Sequence, residues 1–413
     1  MTALVVALLG AAPMEALTLP QALERALTRA PRLQTVRASV QRAEALVAQS
    51  RASWLPTVTL SGTYTQLEGN RGLAERVLLP ASSANGALQL AFPLLAVPRW
   101  VATGQAELGV EAAKADEDEV RRALVSLVGR AWLTVELQHA LVAVAERATK
   151  TSAEQLELAS VRQRGGLGTK LDLVRAQREV KDNEGRLARA RVDLVTAREV
   201  LGVLIGAPGP VDVSGGLSLA ALPAADALDE VVQERPDVVA ATTRVAQASR
   251  AVEQSWVDYL PTAAVTVTPT AQTPPTPTQP ALGVTAQLTG QVQVFDGLSR
   301  SALRKEREAA LTAAKAQAED VGLRARSELR LAFEVLALRE EAAAAAAASA
   351  TLALEAEALA RVAWKDGATT NVELIEAERS ARDAETLAQA ARTSAWSAKL
   401  DVLVAAGRDP VAR

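Results

Sequence analysis

The sequence predicts a mainly α-helical fold that carries membrane β-strands and is built from one unit written twice. Three observations predict it. Adding 205 to a residue number carries Pro31, Val40, Ala43, Val47, Gln49, Ser50, Leu55, Pro56 and Thr57 onto Pro236, Val245, Ala248, Val252, Gln254, Ser255, Leu260, Pro261 and Thr262 without a gap. Each copy then holds two segments of period-two alternation. In the clearest, Leu282, Val284, Ala286, Leu288, Gly290, Val292 and Val294 interleave with Thr285, Gln287, Thr289, Gln291 and Gln293, so one face is apolar and the other polar. Helical patterns of about 66 residues follow the strands, and at 1.5 Å per residue each extends roughly 100 Å, more than a globular domain holds.

Taken in order, a signal peptide is expected over 1–16. The apolar run from Leu4 to Ala12 has the length of a signal core and is too short to span a bilayer, although no Lys or Arg precedes Arg25. Cleavage near Ala16 or after Ala12 is compatible with the small residues there. The first repeat occupies 17–205. A helix from Leu19 to Ser53 closes at Leu55-Pro56, because the residue before proline avoids the α region. Strands are expected at about 57–68 and 86–95, then a long helix from Pro98 to Gln163, a hairpin tip at about 164–169, and a return helix to about Leu204. The spacing of Leu124, Leu127, Ala131 and Val135, with charged residues between, reads as a coiled-coil seam.

The Gly- and Pro-rich stretch 206–224 links the repeats. The second repeat, 225–413, rewrites the first: a helix from Ala227 to Asp258, strands at about 262–271 and 282–295 around "QTPPTPTQP", a long helix from Leu298 to Lys365, a tip at about 365–370, and a return helix ending near Gly407. At the tips "RGGLGTKLDLVRAQ" (164–177) aligns with "KDGATTNVELIEAE" (365–378), placing Gly166, Thr169, Leu173 and Ala176 on Gly367, Thr370, Leu374 and Ala377. Thr169 and Thr370 are the expected helix N-caps, and the short connections make antiparallel helical hairpins.

The strands read as membrane strands because the last exceeds ordinary globular length and covers the roughly 9 to 11 tilted residues that cross an outer membrane. Aromatic residues are scarce, yet Trp54, Tyr64, Phe92, Trp100, Trp256, Tyr259 and Phe295 lie in or beside the strand pairs, where a barrel carries its interfacial girdles. Four strands cannot enclose a lumen, since barrels of about eight are filled by their own side chains. Strands from several copies must therefore be pooled.

Composition removes other classes. The 45 basic and 48 acidic residues nearly balance, so nothing points to nucleic acid. The absence of cysteine excludes thiolate metal sites, a cysteine nucleophile and an amino-terminal lipid-modified cysteine. The single histidine, His139, reads as a surface or seam residue. "GLGTK" at 166–170 lacks the G-x-x-x-x-G-K-[ST] spacing of a phosphate loop and follows a helix instead of a strand. No catalytic, cofactor-binding or metal-binding residue is expected, and the chain is not expected to be an enzyme.

The duplicated helix, Leu-Pro, strand pair, long helix and G-x-x-T-x-x-[DE]-L turn resemble the TolC-like outer-membrane efflux family over essentially Leu17 to Asp409. The resemblance implies a homotrimer in which each protomer gives four strands to one twelve-stranded barrel in outer-membrane lipid, while the helices extend into the periplasm as a tunnel. It implies a passive duct of a tripartite efflux or type I secretion system, served by a periplasmic adaptor protein and an inner-membrane pump of the RND or ABC type. It also implies a periplasmic gate at the hairpin tips, carried over here to Asp172, Arg175, Glu373 and Glu376, with Gly166, Thr169, Gly367 and Thr370 forming the tip turns. A spacing of three sets each gate pair on one helix face, and Arg175 is placed to pair with the acids. Glu373 stands where the family often has Asp, and Trp364 where it commonly has tyrosine. The competing expectation is a periplasmic adaptor or structural coiled coil without a pore.

Overall fold

The computed structural model describes residues 15–408 except 74–75, 167, 217–218 and 224–227. The expected signal peptide lies mostly outside the described residues. Its last two, Glu15 and Ala16, are part of the fold: the Glu15 carboxylate takes both terminal nitrogens of Arg25 at 2.6 and 2.7 Å, and β1 (Ala16–Leu17) pairs in parallel with β6 (Asp212–Val213).

The other elements are α1 (Leu19–Arg29), α2 (Pro31–Ala52), β2 (Thr57–Gln66), β3 (Arg71–Leu73), β4 (Arg76–Leu79), β5 (Ser82–Leu95), α3 (Val97–Arg164), α4 (Lys170–Leu204), α5 (Leu228–Gln233), α6 (Pro236–Glu253), β7 (Thr262–Thr273), β8 (Leu282–Gln291), α7 (Ser299–Lys365) and α8 (Asn371–Ala405). The opening helix of each repeat is broken, contrary to the single helices expected from Leu19 to Ser53 and from Ala227 to Asp258. Ala30 turns to φ −58°, ψ 124° because Pro31 follows it, and Pro236 imposes the same break between α5 and α6. A 3-10 turn, Gln254–Tyr259, completes the second opening segment.

Two compact units cut across the repeats, each drawing on both copies. The described residues of the first are 15–36, 117–239 and 321–408. Its main core joins Leu19, Leu23 and Ala26 of α1 to Leu124, Val128, Trp132 and Val135 of α3, Leu194, Ala197 and Leu201 of α4, and Leu400 of α8. The α3 seam therefore runs through Val128 and Trp132. Leu127, expected in the seam, is exposed, because 3.6-residue periodicity carries the buried stripe one position round from it. The buried Trp132 Nε1–H donates to Leu17 O at 3.1 Å. His139 sits beside β6, its Nε2 2.6 Å from Asp212 Oδ1, and Arg198 grips the same carboxylate at 2.6 Å. Burial alone would raise Asp212, but these two partners hold it below the ordinary carboxylate value. Two glycines close this core: a Cβ on Gly129 would meet Leu400 Cδ2 at 2.5 Å, and one on Gly202 would meet Gly209 O at 2.3 Å.

The second unit comprises 37–116 and 240–320 and contains an antiparallel sheet in the order β2-β5-β7-β8. Its strands differ at their ends from the expected bounds. β5 starts at Ser82, not 86, because Ser82 already pairs with Gln66. β2 stops at Gln66, not 68, where Leu67 N–H turns to Ala81 O and a β3–β4 hairpin intervenes. β7 runs on to Thr273 through its pairing with Ala84, past the expected 271. β8 stops at Gln291, not 295: its partner Thr262 is the first residue of β7, Pro261 before it has no N–H, and the Gln293 carbonyl is taken by Arg300 Nη2 at 2.8 Å. α7 holds an 18-residue stretch of mean hydropathy 1.3, apolar enough by length and composition alone to cross a membrane. Its apolarity owes much to small alanines, seven of them at 342–348, which admit close helix packing.

A buried charge tests how the first unit is held. The Arg235 side chain, 1 % exposed, donates to Asp237 Oδ2 at 2.6 Å, Glu328 Oε2 at 2.9 Å and the Ala405 carbonyl at 3.0 Å. Arg235→Ala strands these acceptors, and denaturant unfolding of the intact protein should show a loss of about 3–5 kcal/mol.

Candidate functional site

Two features bear on function, the sheet of the second unit and the hairpin tips of the first. Residues directly opposite in an antiparallel ladder share a face, so the register assigns the faces across all four strands. One face carries Val58, Leu60 and Tyr64 of β2, Leu88, Leu90 and Phe92 of β5, Val265 and Val267 of β7, and Leu282, Val284, Ala286 and Leu288 of β8. The other carries Thr57, Thr59, Ser61, Thr63 and Thr65, then Asn85 and Gln89, then Thr266, Thr268 and Thr270, then Thr285, Gln287, Thr289 and Gln291. The apolar face is bare: Leu60 is 79 % exposed, Leu282 77 % and Leu288 71 %. β2 and β8 are the edges, each paired on one side only among the described residues.

At the tips, α3 ends where Gly166 takes φ +75° and α7 where Gly367 takes φ +77°, left-handed turns that glycine adopts without a Cβ clash. α4 and α8 then begin with capping boxes. Thr169 Oγ1 accepts from Asp172 N at 3.1 Å and donates to Asp172 Oδ2 at 2.6 Å. Thr370 Oγ1 accepts from Glu373 N at 3.3 Å, while Thr370 N donates to Glu373 Oε2 at 2.9 Å. The Thr369 hydroxyl also donates to Glu373, and with the Thr370 N–H it holds that carboxyl below its ordinary value. Asp172 and Glu373 therefore face their own helix starts. Arg175 Nη1 lies 3.9 Å from Asp172 Oδ1, and Glu376 is exposed one turn beyond Glu373.

The two hairpins are tied together by Arg162 of α3. Its guanidinium stacks 4.3 Å over the Trp364 ring and donates to the Trp364 and Lys365 carbonyls at 2.9 and 3.0 Å, which neutralises the carboxyl end of α7. A recess of about 540 Å3 between the tips brings Thr169, Asp172 and Arg175 together with Gly367 and Thr370, whereas Gly166, Glu373 and Glu376 lie outside its wall. Arg162 was missed from sequence. So was Glu179 of α4, which is buried and bonded by the Arg379 side chain of α8, with Arg382 Nη1 3.5 Å away. The seam spacing Ala176, Glu179, Val180, Asn183 is the signal that would have found it. Among the described residues no group of His, Cys, Asp and Glu is arranged to hold a metal ion.

Residues 22–207 match the sequence profile of the family described as Outer membrane efflux protein. Over that stretch, the chain is similar to the outer membrane efflux proteins. Nodulation protein T of Rhizobium leguminosarum bv. trifolii is 23 % identical over 395 residues, covering 90 % of this chain and 82 % of that protein. The same fold occurs in the CmeC outer membrane channel of Campylobacter jejuni, with a TM-score of 0.82 at 14 % identity over 95 % of this chain and 86 % of that one. The open state of the MtrE outer membrane channel of Neisseria gonorrhoeae gives 0.80 at 21 % identity, over 95 % and 89 %. The TolC-like resemblance read from the repeat and its tip motif is thereby borne out, by the profile over residues 22–207 and by the fold over nearly the whole chain.

Because Thr370 accepts the second backbone bond of the α8 cap, Thr370→Ala should cost about 1 kcal/mol locally. Hydrogen exchange of the first-turn amides of α8 should rise, while amides in the Trp132 core stay unchanged.

Proposed function

We propose that this chain is an outer membrane efflux protein, a homotrimeric, passive duct of a tripartite efflux or type I secretion system. The single observation that carries the reading is the sheet: one face apolar and bare, one polar, and two unpaired edges. An apolar face of this extent has lipid as its natural solvent, and lipid tolerates no open strand edge. Joining β8 of one copy to β2 of the next satisfies both edges, and three copies close twelve strands around a polar lumen lined by Thr and Gln. A pore-free adaptor or coiled coil gives no reason for such a sheet.

On this reading the leader is cut after Ala12, which leaves Glu15 and Ala16 in the fold, 17–205 and 225–413 are the two repeats with 206–224 between them, and the helices of the first unit extend into the periplasm. The tips form the gate, where Glu373 and Glu376, repeated threefold, surround the axis with Asp172 and Arg175 beside them. A periplasmic adaptor and an inner-membrane pump of the RND or ABC type supply the energy. The MtrE channel, described in an open state, supports a tip that has more than one state. The duct itself performs no covalent chemistry.

Purified protein in a planar bilayer should conduct, with cation selectivity. Glu376→Gln and Glu373→Gln remove charge while the glutamine at 373 keeps the cap, so selectivity should fall in both; unchanged selectivity removes these residues from the gate. Single cysteines at Leu288 and Gln287 separate the two faces: a membrane-impermeant thiol reagent should label position 287 and spare 288, and equal labelling would sink the barrel assignment.

A further inference from the structure

Beyond the tips, the first unit holds a recess of about 340 Å3 with a charged wall. Glu378 of α8 lines it. Its carboxylate accepts from Gln155 Nε2 of α3 and lies 3.6 Å from Arg361 Nη2 of α7. Arg361 is already bonded to Glu357, one turn earlier on the same helix. Both acids are largely buried, with side-chain exposures of 11 % for Glu378 and 17 % for Glu357. One guanidinium thus serves two buried carboxylates contributed by two helices, and the third helix supplies an amide that carries no charge.

The remaining charged groups around the recess are engaged with one another. Arg147 of α3 donates to Glu385 of α8 at 2.7 Å. Arg379 and Arg382 of α8 turn to Glu179 of α4, and Arg382 also bonds Asn183 Oδ1 at 2.9 Å and Asp383 at 3.1 Å. No second cation on α3, α4, α7 or α8 is directed to Glu378 among the described residues that line the recess. A buried carboxylate with half a counter-ion is costly when ionised and inexpensive when protonated. Protonation also turns it into a donor, able to bond the Gln155 amide oxygen without repelling Glu357.

We propose that Glu357, Arg361 and Glu378 form a one-proton switch joining α3, α7 and α8. With a proton on Glu378 the three helices pack closed around Gln155. Loss of that proton to solvent leaves two mutually repelling carboxylates on one guanidinium, and the joint loosens and takes in water. Burial pushes Glu378 up to about 7, Arg361 opposing and Glu357 adding to the rise. Burial also raises Glu357, with Arg361 opposing and Glu385 reinforcing. The sign follows from linkage. The packed joint holds its proton to higher pH than the unfolded chain does, so its stability is greatest in acid and falls as pH climbs from the ordinary carboxylate value through about 7. The switch stands on the joint alone; only an effect on passage rests on the gate reading.

Hydrogen exchange of the intact protein in detergent, corrected for the intrinsic rate, tests it. Amides flanking Gln155, Arg361 and Glu378 should be about tenfold better protected at pH 6 than at pH 8 in the wild type. Glu378→Gln, an isosteric stand-in for the protonated acid, should flatten that ratio toward one. Glu357→Gln should move the midpoint to lower pH. A wild type without the dependence, or a Glu378→Gln variant that keeps it, overturns the switch. Bilayer conductance over the same pH range is the separate reading for the gate: pH-dependent protection with pH-independent conductance leaves the switch in place and dissociates it from passage.

Discussion

Two strand edges set the terms for this protein. Among the described residues β2 and β8 each satisfy the backbone on one side, and the four-strand sheet they bound carries mostly Val, Leu, Ala, Tyr and Phe on one face. In water such a sheet would be a template for aggregation, and in hydrocarbon each unpaired N–H or C=O costs several kcal/mol. On the proposed reading, the same backbone that makes the sheet makes a single copy incomplete. Association edge to edge removes both costs at once, whereas a longer chain with more strands would solve the problem only by abandoning the short twofold repeat.

The first unit is governed by a different economy. Its helices bury small residues and carry their charges in pairs, so most acids there have a named partner: Glu15 with Arg25, Asp212 with Arg198, Asp237 with Arg235, Glu179 with Arg379. Pairing at helix seams fixes which helices meet more than it adds stability, because desolvation consumes much of the Coulomb gain. Glu378 departs from that pattern. It occupies a seam position between Leu374 and Ala381, both buried, yet shares with Glu357 the one arginine that ion-pairs with it among the described residues.

Much of this was legible in the chain. Period-two alternation marks the strands because membrane exposure leaves one face uniformly apolar, and the gapless 205-residue register marks the duplication because both copies solve the same packing problem. The ends at Thr57, Leu95, Thr262 and Leu282 were legible, but the other end of each strand was not, since it depends on where the partner stops: β8 ends at Gln291 because Pro261 lies beyond the last rung, although the alternation in sequence continues to Val294. The break at Ala30-Pro31 was present in the sequence and is the same X-Pro rule that placed the helix end at Leu55-Pro56. The tips were legible as turns, from Gly166, Gly367, Thr169 and Thr370, but not as a joint. Arg162 stacks on a residue some two hundred positions away, and only the fold brings it to Trp364.

The glutamate at 373 shows how a local demand shapes a candidate site. A capping box favours Glu at its fourth position because the side chain must reach back to the N-cap amide. Glu373 makes that reach at 2.9 Å, whereas the shorter Asp172 stands 3.3 Å from the Thr169 amide and bonds chiefly to the Thr169 hydroxyl. The extra methylene lets the carboxylate reach that amide, and a second donor, the Thr369 hydroxyl, helps hold it as an anion. Glu376 has no such claim from the backbone and stays exposed. A ring built from these tips would present one acid anchored by the helix start and one exposed, and the position of Glu373 in the capping box is the reason the two differ.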